Sequence, residues 1–160
     1  MSVFSSYQAT NRGEPRWMFP PIACTSAVMS GSSDVDRLLR PLFRSRARDV
    51  FVVLWLNRQS RVTWFDLYEG GDLSVALMNP RRLFQEPFAG VHEGIILARY
   101  RSGGKPVASL VDRQIAKRLS CVGRQCGIHV KGYVVMFEDA LCCLSEEGWG
   151  NRRPCPPGQA

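Results

Sequence analysis

Gly94-Ile95-Ile96-Leu97-Ala98-Arg99-Tyr100-Arg101-Ser102-Gly103-Gly104-Lys105-Pro106-Val107-Ala108-Ser109-Leu110-Val111-Asp112 is the stretch whose reading decides the fold. Its opening apolar run suits a buried strand. Two adjacent glycines and a proline make the next part a loop. Ser109 stands where a helix N-cap belongs, one residue ahead of a periodic segment. A strand, a loop and a capped helix in that order bring the strand end and the first helical turn together, which is a common way to build a site. Arg99 and Arg101 are spaced i, i+2, so both fall on one face if the strand persists that far. Lys105 is in the adjoining loop, and Ser109 opens a helix whose N–H groups attract anions. One reading is therefore an anion pocket of Arg99, Arg101, Lys105 and Ser109 for a phosphate or an acidic side chain. The other is a structural pair between arginine and Asp112.

Upstream, Asp49 to Leu56 is a continuous apolar strand. Asn57-Arg58-Gln59-Ser60 turns the chain, and Arg61 to Tyr68 returns with partial alternation, which together predict a β-hairpin. Before it, Ser33-Asp34-Val35-Asp36 has the form of a capping box with Asp for Glu. The helix that follows places Val35, Leu38, Leu39, Leu42 and Phe43 on one face. Pro41 should kink or shorten it. Arg37, Arg40, Arg44, Arg46 and Arg48 read as a solvated face or as a phosphate-binding ridge. Between hairpin and central strand, Glu69 to Asp72 is loop, and Asn79-Pro80 starts a helix that runs to Pro87 or Gly90.

Downstream, Leu110 to about Gln125 is a helix with Val111, Ile115, Leu119 and Val122 inward, and Gly127 suits its C′ position. Ile128 to Phe137 and Ala140 to Leu144 read as strands around a Glu138-Asp139 turn. The elements make a mixed α/β domain over residues 32–149. Residues 1–31 read as a flexible arm containing the apolar patch Arg16 to Ile22, and residues 150–160 as a disordered tail.

The chain has 160 residues, enough for one domain with a core. Its charge of +7, from 21 basic against 14 acidic residues, favours nucleic acid or an acidic protein surface as partner. The six cysteines include no CxxC pair and predict buried reduced thiols; Cys142 and Cys143, adjacent in a strand, should point to opposite faces. No secretory signal is apparent, the early apolar run Met18 to Met29 is too short to span a bilayer, and the expected location is cytoplasmic.

The central stretch resembles the signature of the RadC-like branch of the JAB/MPN (JAMM) metallopeptidase fold. Relatives that keep zinc read His-Asn-His-Pro-Ser-Gly-Asp-Pro, then Ser and, three residues on, Asp. Gly104, Pro106, Ser109 and Asp112 match, whereas Arg99 and Arg101 stand at the two histidines and Ser102, Gly103 and Lys105 replace the Pro, Ser and Asp. Asp49 stands at the glutamate that polarises the zinc-bound water. Asn79-Pro80-Arg81-Arg82 takes the place of His-Pro-Arg-Glu, Lys131-Gly132 that of Asp-His, and Ser145-Glu146-Glu147-Gly148 is similar to a closing Ser/Ala-Glu-Arg-Gly. The resemblance spans about residues 32–149 and implies a cytidine-deaminase-like sandwich, a central β-sheet flanked by helices.

It also implies a chemistry that these residues cannot carry. Zinc needs lone pairs from His, Cys or carboxylate. Arginine offers donors only and keeps its charge, so Arg99 and Arg101 would repel the ion, and Asp49 and Asp112 become remnant positions. The expectation is a metal-free, cofactor-free pseudoenzyme with no catalytic residues, in which an arginine–Asp112 pair plugs the vacated zinc site. By family analogy it binds a protein complex, as a phage or mobile-element factor engaging a host or defence assembly. Two alternatives stay open: a nucleic-acid-binding accessory factor with steep salt dependence, and a hydrolase whose metal has moved to cysteines and the two histidines, His92 and His129.

Overall fold

Val50–Leu56 is seven apolar residues with no polar side to offer water, so it must be covered on both faces. In the computed structural model, which describes residues 27–43, 49–69, 80–84, 92–103 and 106–144, this run is strand β1 and is buried throughout. Strand β2 (Val62–Glu69) returns antiparallel to it, with Val53 opposite Asp66. The hairpin turn closes as its composition predicts: Asn57 Oδ1 accepts from the backbone N–H groups of Gln59 and Arg61, and Ser60 takes the left-handed φ of 59°.

Strand β3 (Gly94–Tyr100) lies on the other side of β1, antiparallel; β4 (His129–Met136) pairs parallel to β3, and β5 (Leu141–Leu144) pairs antiparallel to β4. The order is β2-β1-β3-β4-β5. A parallel pair needs a crossover, and the helix α2 (Leu110–Gln125) supplies it. Helix α1 (Ser32–Phe43) covers one face, setting Val35, Leu39, Leu42 and Phe43 against Val52, Leu54, Ile96, Ala98, Val134 and Met136. Helix α2 covers the other, over Phe51, Val53, Trp55, Leu97, Tyr133 and Val135. Cys143 faces the first layer and Cys142 the second, as adjacency in a strand requires.

Several local expectations are corrected. Helix α1 begins at Ser32, which puts Asp34, not Asp36, at its third position. Ser30 donates from N and Oγ to Asp34 Oδ2 at 2.9 and 2.8 Å, while Asp36 accepts from Arg40 Nε at 2.6 Å. Pro41 lies in the last turn, and the helix ends two residues beyond it, at Phe43. Arg40 belongs to neither a solvated face nor a phosphate ridge. Its guanidinium donates to the carbonyls of Phe137, Glu138 and Ala140, tying down a β4–β5 turn that contains no glycine.

Val111 is 56% exposed, and Asp112 takes the inward place at 0%; the buried stripe of α2 is Asp112, Leu119 and Gly123, with Ile115 and Val122 half-buried. Gly123 lets α2 approach closely, since a Cβ there would lie 2.7 Å from the Ile128 carbonyl oxygen. Gly127 turns the chain after the helix with φ of +74°. Pro80–Phe84 is a 3-10 helix whose Leu83 and Phe84 are buried. Residues 27–31, read as arm, pack on the hairpin: Met29 is buried and its N–H donates to the Ser60 carbonyl.

The reduced-thiol expectation fails at Cys142, which is disulfide-bonded; the cysteine spacings include no pair that signals it. Other expectations also lie outside the described residues: the Arg16–Ile22 patch, Arg44, Arg46, Arg48, Asp72, Asn79, Gly104, Lys105, Glu146, Gly148 and the tail. No helix among the described residues is long and apolar enough to cross a membrane.

Candidate functional site

Parallel pairing of β3 with β4 brings the end of β3 beside the start of the crossover helix, the crevice where open α/β sheets place ligands. Arg99 is on the α2 side of β3, in line with Phe51 of β1 and Val135 of β4. Asp112 comes to the same point from the first turn of α2. Ser109 Oγ accepts from the Asp112 N–H at 3.1 Å and donates to Asp112 Oδ2 at 2.8 Å, while Ser109 N donates to Oδ2 at 2.9 Å. This is a capping box with Asp for Glu. It turns the carboxylate inward.

Arg99 Nη1 donates to Asp112 Oδ1 at 2.8 Å, and Arg101 Nη1 stands 3.7 Å from Oδ2. Tyr133 of β4 donates to Oδ1 at 3.4 Å. Burial first, and the Asp112 charge second, hold the Tyr133 phenol above its ordinary range, so it stays a donor. Asp49 accepts from Ser102 N and Oγ at 3.2 and 3.3 Å, with Arg99 Nη2 3.8 Å away. The guanidinium of Arg101 also lies 6.0 Å from the Phe137 ring centroid. Arg99 Nε is buried and meets no acceptor among the described residues, so this guanidinium is held by its outer nitrogens.

Asp49, Arg99, Arg101, Ser109 and Asp112 thus converge, and Lys105 lies outside the described residues. Spacing and the N-cap position pointed to Arg99, Arg101 and Ser109, and the resemblance to Asp49 and Asp112; Tyr133 was not singled out, and Ser102 was given no role at the site. Tyr133 could have been read from its inward register in β4, opposite Leu97. Ser102 joins through a loop and left no signal.

The arrangement does not fit a divalent metal. Both Asp112 oxygens are engaged by donors, and two of the groups around them, Arg99 and Arg101, are cations with no lone pair. Among the described residues no group of three or more His, Cys, Asp or Glu could hold a metal ion. His92 and His129 do not form such a group. His92 is buried against Trp55, its Nε2 2.8 Å from Thr63 Oγ1, and His129 is exposed at the start of β4.

A second buried carboxylate sits two strands away. Asp66 accepts from Trp55 Nε1 at 3.0 Å and from Trp64 Nε1 at 3.2 Å, and burial pushes its carboxyl up to about 6. The alternation Trp64-Phe65-Asp66-Leu67-Tyr68 carried the signal, since it sets Asp66 on the inward side with two aromatic neighbours.

Comparison with known proteins agrees with this architecture. The chain is 30% identical to a UPF0758 protein of Aliivibrio fischeri over 146 residues, 91% of this chain and 65% of the relative. It is 32% identical to one of Rubrobacter xylanophilus over 111 residues, 69% of this chain and 49% of the relative. A Bacillus cereus UPF0758 protein is 29% identical over 115 residues, 72% of this chain and 51% of the relative. The chain therefore spans from 49% to 65% of the length of these relatives. The profile of the RadC-like JAB domain matches residues 29–149, the whole stretch from the buried Met29 through all five strands. By that match the chain belongs to the RadC-like JAB domain family.

Proposed function

We propose that this chain is a RadC-like JAB domain without metal chemistry, serving as a protein-binding module. The observation that supports it is the fully buried Asp112 carboxylate held by Arg99 at 2.8 Å, with Arg101 beside it. By the resemblance, these arginines occupy the two histidine positions of the zinc motif. A guanidinium placed there does what the ion would do electrostatically, compensating the buried carboxylate, yet it cannot polarise water or carry a hydroxide. The anion-pocket reading draws less support. Arg99 and Arg101 face Asp112 and Asp49, so two cations already meet two carboxylates.

Elemental analysis of chain purified without chelators should give zinc far below one equivalent; a stoichiometric content overturns the reading. The double variant Arg99→His and Arg101→His should raise zinc uptake, because it returns two lone-pair donors beside Asp112. A folded double variant that takes up no zinc would separate these positions from the family's ligand positions.

A further inference from the structure

The outward side of α2 has one sign of charge. Its sequence contains a single acid, Asp112, and that residue is buried and paired. Arg113, Lys117, Arg118 and Arg124 are all exposed. Arg113, Lys117 and Arg118 form no ion pair with any carboxylate among the described residues. Leu110, Arg113, Lys117, Cys121 and Arg124 recur at steps of three and four, so they share one face over about 21 Å of helix. The face starts with aliphatic groups: Leu110 is 71% exposed and its neighbour Val111 56%.

Beside this stripe runs an open groove of about 520 Å³ between α2 and the edge strand β5. Arg113, Lys117 and Arg124 line it with Ser120 and Cys121, while Ala116 and Leu144 are its apolar side chains. From these features we infer that the α2–β5 groove docks an acidic, leucine-bearing segment of a partner protein. Its carboxylates would meet Arg113 and Lys117, and its aliphatic side chains would cover Leu110, Ala116 and Leu144. Nucleic acid fits less well. The stripe has no aromatic ring on which a base could stack, and a phosphate backbone would leave Leu110 and Val111 in water. The inference deepens the protein-binding reading and rests on it for its role, but not on whether the Asp112 site is metal-free.

The test uses the full chain and a fluorescein-labelled, glutamate-rich helical peptide with leucines at i, i+3 and i+7. Its Glu→Gln counterpart and a single-stranded oligonucleotide of similar length serve as comparisons. The glutamate peptide should bind tightest, and more weakly as salt rises. Arg113→Glu with Lys117→Glu should weaken it by at least about tenfold, Leu110→Ser by roughly threefold, and Arg37→Glu on α1 not at all. Bound peptide should shield Cys121 from maleimide and leave Cys126, exposed beyond the groove, reactive. Equal affinity for the glutamate and glutamine peptides, unchanged affinity in the charge-reversed variant, or tighter oligonucleotide binding each overturns the groove assignment. Zinc analysis of the same preparation keeps the outcomes separate: bound zinc with intact peptide docking defeats only the metal-free reading.

Discussion

Asp112 and Asp66 lie on the same α2-facing side of the sheet, 0% and 2% exposed, and are treated in opposite ways. Asp112 meets two guanidinium groups, a serine hydroxyl, a backbone N–H and a phenol. Asp66 meets two indole N–H groups. Indoles can hydrogen-bond a carboxylate but bring no charge to offset its desolvation, and burial accordingly pushes Asp66 up to about 6. The contrast is one of partners: the buried carboxyl at the end of β3 has two cations beside it, and the one on β2 has two neutral indole donors. It also separates two kinds of buried acid, one built as half of a pair and one whose carboxyl burial pushes up into the range where it titrates near pH 6.

The sharpest way to break the comparison is Asp112→Ala. It leaves the Arg99 guanidinium, 17% exposed, facing no buried carboxylate, and removes the capping box of α2. Breaking a buried pair by deleting one partner costs about 3–5 kcal/mol, and loss of the Ser109 N–H bond to Oδ2 about 1 kcal/mol more. Urea denaturation of the variant against the parent chain measures the sum. A loss below about 1 kcal/mol would mean that the pair contributes little and that Asp112 is not the anchor of this end of the sheet.

Asp66 supplies the second test, through pH. Its folded value is raised from 3.8 to about 6, so the folded state holds the proton more tightly than the unfolded chain does. The sign follows. Its contribution to stability is complete below pH 3.8, is lost as pH rises to about 6, and stays lost above that. At 1.36 kcal/mol per pH unit the loss is roughly 3 kcal/mol. Urea midpoints measured across that window should show the decline, and Asp66→Asn should flatten it. The Nε1 resonances of Trp55 and Trp64 should titrate near pH 6 as well. An unchanged slope in Asp66→Asn would assign the titration to another group.

The two sites also differ in how far the sequence revealed them. The hairpin, the buried β3 run and the start of α2 were legible because each rests on local chemistry: Asn57 bonding its own turn, uninterrupted apolar residues, and Ser109 three residues ahead of Asp112. The direction of Asp112 was harder to read. Helical periodicity favours the apolar Val111 for the inward place, yet the capping bond and Arg99 select Asp112. Asp66 was hidden for a similar reason, since an acid in a strand ordinarily marks the solvent side and only the two indoles, one on each of β1 and β2, make its inward position tolerable. Arg40 was beyond reach, because its partners lie far off in sequence and leave no local period.

The smallest effect distinguishes the two arginines. Arg99 is at 2.8 Å and mostly buried; Arg101 is at 3.7 Å, 27% exposed, with the Phe137 ring near its guanidinium. Screening by solvent reduces a pair of the second kind, so Arg101→Gln should cost under about 1 kcal/mol in the same urea assay. Arg99→Gln should approach the loss seen for Asp112→Ala, because it leaves the buried carboxylate without its close cation. Equal losses for the two variants would make the arginines a joint clamp. Unequal losses leave Arg99 as the compensating charge and Arg101 as the more replaceable cation at its rim.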